Sequence, residues 1–385
     1  MLIRNARILT EKAGLIEGCL RIRNGRIGRL AQVLTPEEGE ETFDANGKIL
    51  VPGLIDIHNH GYAGTEFATP DGPFENGLLE LAKKGITTVV PTLRPLRKDR
   101  LLAAIENAKR EIRKAESGRG PAAAKPAGIH LEGPFVSPEK AGAMVRSNLS
   151  LPDRRDLADY LEAGEGMIKT IAFAPELDGA CGLIGDILSA GANASIAHTN
   201  ATFEQAKTAA DRGANLVTHL FNAMSGFGHR EPGTVGEALT DDRLTCELIC
   251  DFVHNAPAAV DLAFRAKGAD RLVMVSDTGV MAGRGDGEYV IEGVRRIVRG
   301  NLCTTESGTI AGSVCDLGVG VRNLLNAGYS LRDVSHMASR NPARVLGIAS
   351  ETGTIEEGKD ADLLLLSGDW TPERVWIDGS EYPCL

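Results

Sequence analysis

Two histidines spaced two apart, His58 and His60, end the run PGLIDIHNHG between Pro52 and Gly61. In an extended chain residues i and i+2 share a face, roughly 6 to 7 Å apart, so both rings point at one spot. A lone strand histidine is more often a satisfied core residue than a ligand, but here the pattern recurs. Glu132, His198, His219, His254 and Asp277 each close a short apolar run, and four of the eight histidines (His58, His60, His198, His219) end expected strands. Imidazole nitrogens mixed with carboxylate oxygens suit zinc or ferrous iron better than magnesium or calcium, which favour all-oxygen shells. A catalytic ion of that kind keeps a position for water and lowers its pKa from about 15.7 to about 7. A carboxylate beside it, Asp277, is suited to take the water's proton and hand it to a leaving nitrogen. The reaction class expected is hydrolysis of an amide-like bond.

Such residues need a frame that brings the ends of separate strands together. Eight short apolar runs begin at Leu54, Ile86, Ala127, Met167, Asn193, Ala214, Leu244 and Arg271, separated by stretches that mostly carry helical periodicity. That order predicts an α/β fold, a (β/α)8 TIM-like barrel, whose strands are buried on both faces and read as nearly continuous apolar stretches. The polar residues sit at the C-terminal ends of the runs, the face where such barrels place their chemistry. Residues 1–52 and 352–379 alternate with period two, the first around Asn-Gly turns. Both chain ends are therefore expected to form one small β-sandwich domain, with boundaries at 1–52 and 349–385 around a barrel over 53–348. Residues 330–347 read as a closing helical region, and the loop marked by Pro121 and Pro126 shows no chemistry.

Composition excludes several classes. Apolar residues make up 43% and charged residues 24% of the 385, which fits a water-soluble globular protein and neither a disordered nor a membrane one. No stretch approaches a membrane span and the N-terminus lacks a signal pattern, so a cytoplasmic location without membrane partners is expected. Seven scattered cysteines with no CxxC pair predict buried thiols. A net charge of −10 disfavours nucleic acid and means that an anionic substrate must be captured locally. The basic segments 94–100 and 109–114 read as solvated helix surface.

The motifs PGLIDIHNHG, HLEGPF (130–135), AHTNA (197–201), THLFNAM (218–224), HREPG (229–233), GTIAGS (308–313) and NPARVLG (341–347) extend over nearly the whole chain. Through them the chain resembles the amidohydrolase superfamily, and within it the N-acetylglucosamine-6-phosphate deacetylase family. The resemblance implies that Glu132, His198 and His219 bind the principal metal. His58 and His60 match a pair that binds a second ion in some members, so one or two divalent ions per subunit are implied, zinc or alternatively iron. Some superfamily relatives bridge two metals with a modified lysine at the end of strand four; here that run ends FAPE, and Glu132 takes the bridging place. Asp277 matches the catalytic acid/base, although VSDTG stands where VTDA is more usual.

For the substrate, the resemblance implies a homodimer in which Arg230 reaches the phosphate in the neighbouring subunit's site. Asn222 and Ala223 would supply nearby contacts, His254 a contact to the sugar, and Ile310, Ala311 and Gly312 the lining of the acetyl end. Asn222 has an alternative role in bonding a turn and Gly312 in permitting one; His130, His229 and His336 read as structural. Where the family carries KGAH this chain has KAGAM, with Ala143 and Met144. Methionine accepts hydrogen bonds weakly and donates none. The activity implied is metal-dependent hydrolysis of N-acetylglucosamine 6-phosphate to glucosamine 6-phosphate and acetate. Alternatives are the galacto epimer or another amidohydrolase reaction; the complete set of ligands counts against a non-catalytic scaffold.

Overall fold

Eight parallel strands pair in chain order: β1 Leu54–Asn59, β2 Ile86–Leu93, β3 Ile129–Leu131, β4 Ile168–Phe173, β5 Asn193–Ile196, β6 Leu216–Val217, β7 Thr245–Ile249 and β8 Leu272–Val275. The computed structural model describes residues 1–118, 123–291 and 293–382, so Pro121 and Cys384 lie outside the described residues. The ring closes between β8 and β1, where Asp277 N donates to His58 O at 3.0 Å and His60 N to Thr278 O at 2.8 Å. A helix follows each strand: α1 Glu75–Lys83, α2 Lys98–Glu116, α3 Arg154–Gly164, α4 Ala180–Ser189, α5 Phe203–Asp211, α6 Gly233–Thr240, α7 Pro257–Lys267 and α8 Leu317–Asn326. This is the expected (β/α)8 barrel. On β1, Ile55 and Ile57 pack with Ala343 and Leu346 of the closing helical segment. The alternate residues Asp56 and His58 therefore face the barrel interior.

The strands are shorter than the apolar runs. Of the expected site residues only His58 lies on a strand; Glu132, His60, His198, His219 and Asp277 stand one or two residues past a strand end and His254 five. The backbone has already left the ladder there, with φ of 42° at His198, 32° at His219 and 51° at Asp277. A left-handed residue cannot continue a strand, and the turn it makes tips the side chain over the barrel mouth.

Both chain ends share one eight-stranded sheet, in which Ile49–Pro52 pairs antiparallel with Leu363–Leu366. Ile27 N donates to Lys359 O at 2.8 Å and Gly358 N to Ile27 O at 2.7 Å. The sheet thus curls around a core that includes Ile8, Leu20, Leu50, Leu365 and Trp376, one continuous sheet rather than two. The Asn-Gly signal works as expected: Asn24 (φ 51°) and Gly25 (φ 77°) make the left-handed pair of a two-residue hairpin. A three-stranded sheet of Gly287–Ile291, Val294–Arg299 and Leu302–Thr305, between β8 and α8, is an element the sequence reading did not expect.

Residues 330–347 are helical as expected, in three short segments. The six described cysteines are unpaired thiols, and no helix among the described residues is long and apolar enough to cross a membrane. The basic segments are not uniformly solvated. On α2, Lys109 is buried against Glu106 and Glu165, because its position faces the neighbouring α3 end, and Arg94 lies in the barrel mouth.

Lys125, in a short segment beside β2, ties the barrel to the terminal sheet. Its Nζ lies 2.9 Å from Asp362, 3.2 Å from Asp360 and 2.7 Å from Asp378, and Asp362 is buried. Removing the amine leaves Asp362 and Asp378 without their cation, while Asp360 keeps Arg26 at 3.3 Å. Lys125→Met is expected to destabilise the protein by about 2 kcal/mol, below the range for a fully buried pair because the lysine is part-exposed; urea unfolding measures it.

Candidate metal and substrate site

At the C-terminal rim the side chains converge on the carboxylate of Glu132. Its Oε1 lies 3.1 Å from Nε2 of His198, 3.1 Å from Nε2 of His219 and 3.4 Å from Nε2 of His58, and its Oε2 lies 3.3 Å from Nε2 of His60. The Nε2 atoms of His198 and His219 are 3.0 Å apart. Asp277 Oδ1 approaches Nε2 of His60 at 3.3 Å and of His58 at 3.5 Å. Two groups, Glu132–His198–His219 and His58–His60–Asp277, each bring three ligand atoms within 4.8 Å of one another.

The other ring nitrogens explain why these lone pairs face inward. His58 Nδ1 lies 2.9 Å from Glu247 Oε2, His60 Nδ1 3.1 Å from Thr92 O, and His198 Nδ1 2.8 Å from Lys140 O. A carbonyl or carboxylate oxygen there holds a proton on Nδ1, so Nε2 is the nitrogen that can exchange its proton for a cation. Imidazole nitrogens and two carboxylates packed at about 3 Å suit a cation, and outer partners of this kind orient histidine ligands. The donor set therefore fits a divalent metal.

Electrostatics agree. Burial opposes charge on His60, but Glu132 and Asp277 outweigh it and hold its proton up to about 9. Burial likewise opposes ionisation of Glu132, yet His60 and His198 hold it well below the usual carboxylate range. Asp277 is lowered against burial by His58 and His60. His130, by contrast, is pushed far down by burial and the neighbouring His58, and both its nitrogens are buried without a partner.

The barrel is closed under the site by a buried network. Asp56, raised by burial, accepts from Ser276 Oγ and from Asn59 Nδ2, and Asn59 Nδ2 also reaches Thr278 Oγ1 at 2.7 Å. Above it opens a cavity of about 440 Å³. Ala143, Met144, Asn222, Ala223, His254, Ile310, Ala311 and Gly312 all line it, with His60, Glu132, His198, His219 and Asp277. His254 is oriented by Asp251, whose Oδ2 accepts from Nδ1 at 2.7 Å. The Asn222 amide lies 3.3 Å and 3.2 Å from the carbonyls of His219 and Leu220, the turn-bonding role, while it also borders the cavity. Arg230 is exposed and does not line the cavity of its own chain.

Three contributors escaped the sequence reading. The ion pair of Arg94 with Glu66 borders the cavity, hidden in a segment whose charge run suggested solvent. Arg296 of the inserted sheet lines it too and donates to Ala143 O at 3.1 Å. Glu247, behind His58, lies mid-run in LTCELICDFVH, where nothing local separates it from any other buried polar residue.

The amidohydrolase family profile matches residues 49–381. The chain is 36% identical to the N-acetylglucosamine-6-phosphate deacetylase of Bacillus subtilis (strain 168), covering 96% of this chain and 93% of the relative. It is 31% identical to the N-acetylgalactosamine-6-phosphate deacetylase of Escherichia coli O157:H7, covering 98% of each. The crystal structure of N-acetyl-D-glucosamine-6-phosphate deacetylase from Mycobacterium smegmatis superposes with a TM-score of 0.91 at 31% identity, covering 99% of both chains. A mutant of that enzyme, solved in complex with N-acetyl-D-glucosamine-6-phosphate, superposes at 0.90 with 30% identity, covering 99% of this chain and 98% of the other.

Binding a cation must displace protons. Against burial, Glu132 and Asp277 hold the His60 proton up to about 9, and Glu247 and Asp277 hold that of His58 well above the usual imidazole range, so the metal-free protein carries both at pH 7 and uptake at the His58–His60–Asp277 group releases them. Affinity there is expected to rise by more than about tenfold per pH unit from pH 6 to pH 8. Competition titration with a zinc chelator across that range measures the slope.

Proposed function

The chain belongs to the amidohydrolase family, and from that premise we propose that it hydrolyses the acetamide of N-acetylglucosamine 6-phosphate to glucosamine 6-phosphate and acetate. The observation that carries the reading is the convergence of Glu132, His198, His219, His60 and Asp277 at the floor of one cavity, with His58 buried against them. By donor chemistry the cation is zinc, with iron as the alternative, held by Glu132, His198 and His219 and, where a second binds, by His58 and His60. Bound there, it supplies Lewis-acid polarisation of the acetyl carbonyl and acidifies the attacking water.

The remaining work falls to the chain's own groups. Asp277 is ionised and borders the cavity, so it accepts the water's proton and passes it to the sugar nitrogen, which then leaves as an amine. Burial opposes protonation of His254 but Asp251 outweighs it and raises its pKa, which makes Nε2–H a donor to a sugar oxygen. Ile310, Ala311 and Gly312 enclose the acetyl group, Ala143 and Met144 border the sugar, and Asn222 and Ala223 lie toward the phosphate. Arg230, with a planar guanidinium suited to phosphate, reaches the site of the partner in a homodimer. Its exposure, next to the exposed Phe227 on the same loop, supports that assignment. A phosphorylated sugar does not cross a bilayer unaided, which agrees with a cytoplasmic location.

A second reading has its own support. Met144 cannot donate to a sugar hydroxyl, and one relative deacetylates the galacto epimer. Losing one polar contact changes discrimination by a few kcal/mol at most. The two sugar phosphates therefore have to be compared directly.

Zinc-loaded protein is expected to release acetate from N-acetylglucosamine 6-phosphate. Asp277→Asn should lower kcat by about 10²–10⁴-fold. Absence of acetate from either epimer with zinc, iron, manganese or cobalt would remove the assignment. Arg230→Ala should raise KM for phosphorylated substrate; mixing Arg230→Ala with Asp277→Asn subunits should restore activity, because the intact Arg230 of one serves the intact Asp277 of the other. No recovery in mixed dimers would place Arg230 outside the partner's site.

A further inference from the structure

We propose that Glu247, which belongs to neither ion-binding group at the rim, is the positioning residue that decides whether the His58–His60–Asp277 group holds a second cation. The inference rests on the metal-dependent reading above and concerns the part of it that the motifs leave open.

Glu247 sits on β7 with 0% exposure, and its Oε2 lies 2.9 Å from His58 Nδ1. His58, also fully buried, presents Nε2 to Glu132, His60 and Asp277 at 3.3 to 3.5 Å. A neutral imidazole has one lone pair. With Nε2 aimed at the rim, Nδ1 carries the proton and Glu247 is its acceptor. The ring is also braced on its flank, since His130 packs edge-on against it with centroids 4.7 Å apart and planes at 70°. The Glu247 carboxylate has no lysine or arginine partner among the described residues; its ion pair is with His58. A buried carboxylate without a counter-charge is costly. The His219 N–H lies 3.4 Å from the same oxygen but carries no net charge, so a compensating charge arrives through the imidazole, from positive charge at Nε2.

The placement of the carboxylates points the same way. Three of them, Glu132, Asp277 and Glu247, lie 2.9 to 3.5 Å from the two ring nitrogens of His58, while Asp56 is taken up by Ser276 and Asn59. Glu247 adds the third charge at the ring that would hold that second ion, so acceptor and ion reinforce each other across one imidazole.

The test compares wild type with Glu247→Gln, which removes the charge and keeps the shape, and Glu247→Leu, which removes the acceptor. Each protein is dialysed against buffered free Zn²⁺, and zinc per chain is measured by mass spectrometry over a range of free concentrations. Wild type is expected to hold two ions per chain. In the variants the affinity of the weaker ion should fall about 10–100-fold, with Leu worse than Gln. The tighter ion should stay within about threefold, and in a His58→Gln background Glu247→Leu should have no further effect. Melting of the metal-free proteins checks folding, and Glu247→Gln carries the test if the leucine variant does not fold. Equal retention of two ions in wild type and variants, or equal loss of both ions, overturns the inference. Wild type holding a single ion at saturating zinc also overturns it while leaving the hydrolase reading intact; wild type holding none removes both.

Discussion

The carboxylate of Glu132 lies between 3.1 and 3.4 Å from ring nitrogens of four histidines, and the barrel mouth is organised around that crowding. Four imidazoles drawn together in a buried site repel one another when protonated and waste their lone pairs when neutral. A shared anion with a cation among the lone pairs resolves both problems. Glu132 can occupy that place because it directly follows β3, with its N–H bonded to Leu93 O at 3.0 Å, so the strand ladder itself aims the side chain.

Backbone geometry carries much of the cost. His198, His219 and Asp277 adopt left-handed conformations that cost of order 1–3 kcal/mol each in non-glycine residues. Hydrogen bonds hold them there: Ser137 N donates to His198 O at 2.9 Å, and Asp277 N to His58 O at 3.0 Å. The second of these also closes the barrel, so closure of the ring and assembly of the site are one event. Strand residues alone would point across the barrel interior; the turned residues bring their rings over its mouth.

The cavity above is two-sided. Charge gathers near His60, Glu66 and Arg94, whereas Met144, Val280, Met281, Ile291 and Ala311 make an apolar wall. Part of that wall belongs to the inserted three-stranded sheet, whose Val298 and Cys303 pack with Val280, Met281 and Ala311. The apolar wall is thus supplied by an insertion and by loops, while the converging histidines and carboxylates stand at or next to strand ends, a division of labour that lets one barrel host related chemistries.

By itself the sequence determined the barrel, the identity of the six converging groups and the pairing of the chain ends. Those features leave local signatures: apolar runs, period-two alternation, Asn-Gly turns, and polar residues that close strands. Met144 was equally visible, because a loop motif preserves its place. What only the tertiary structure decided was the company each residue keeps. Arg94 read as solvent-facing until the barrel mouth enclosed it, and Glu247, which no local pattern marks, is set by ring closure behind His58, far away in sequence. The physical reason is that spacing along a chain fixes which face of a strand a side chain takes. Its partners depend on hydrogen bonds between strands remote in sequence and on left-handed turns that no local pattern of residue types specifies.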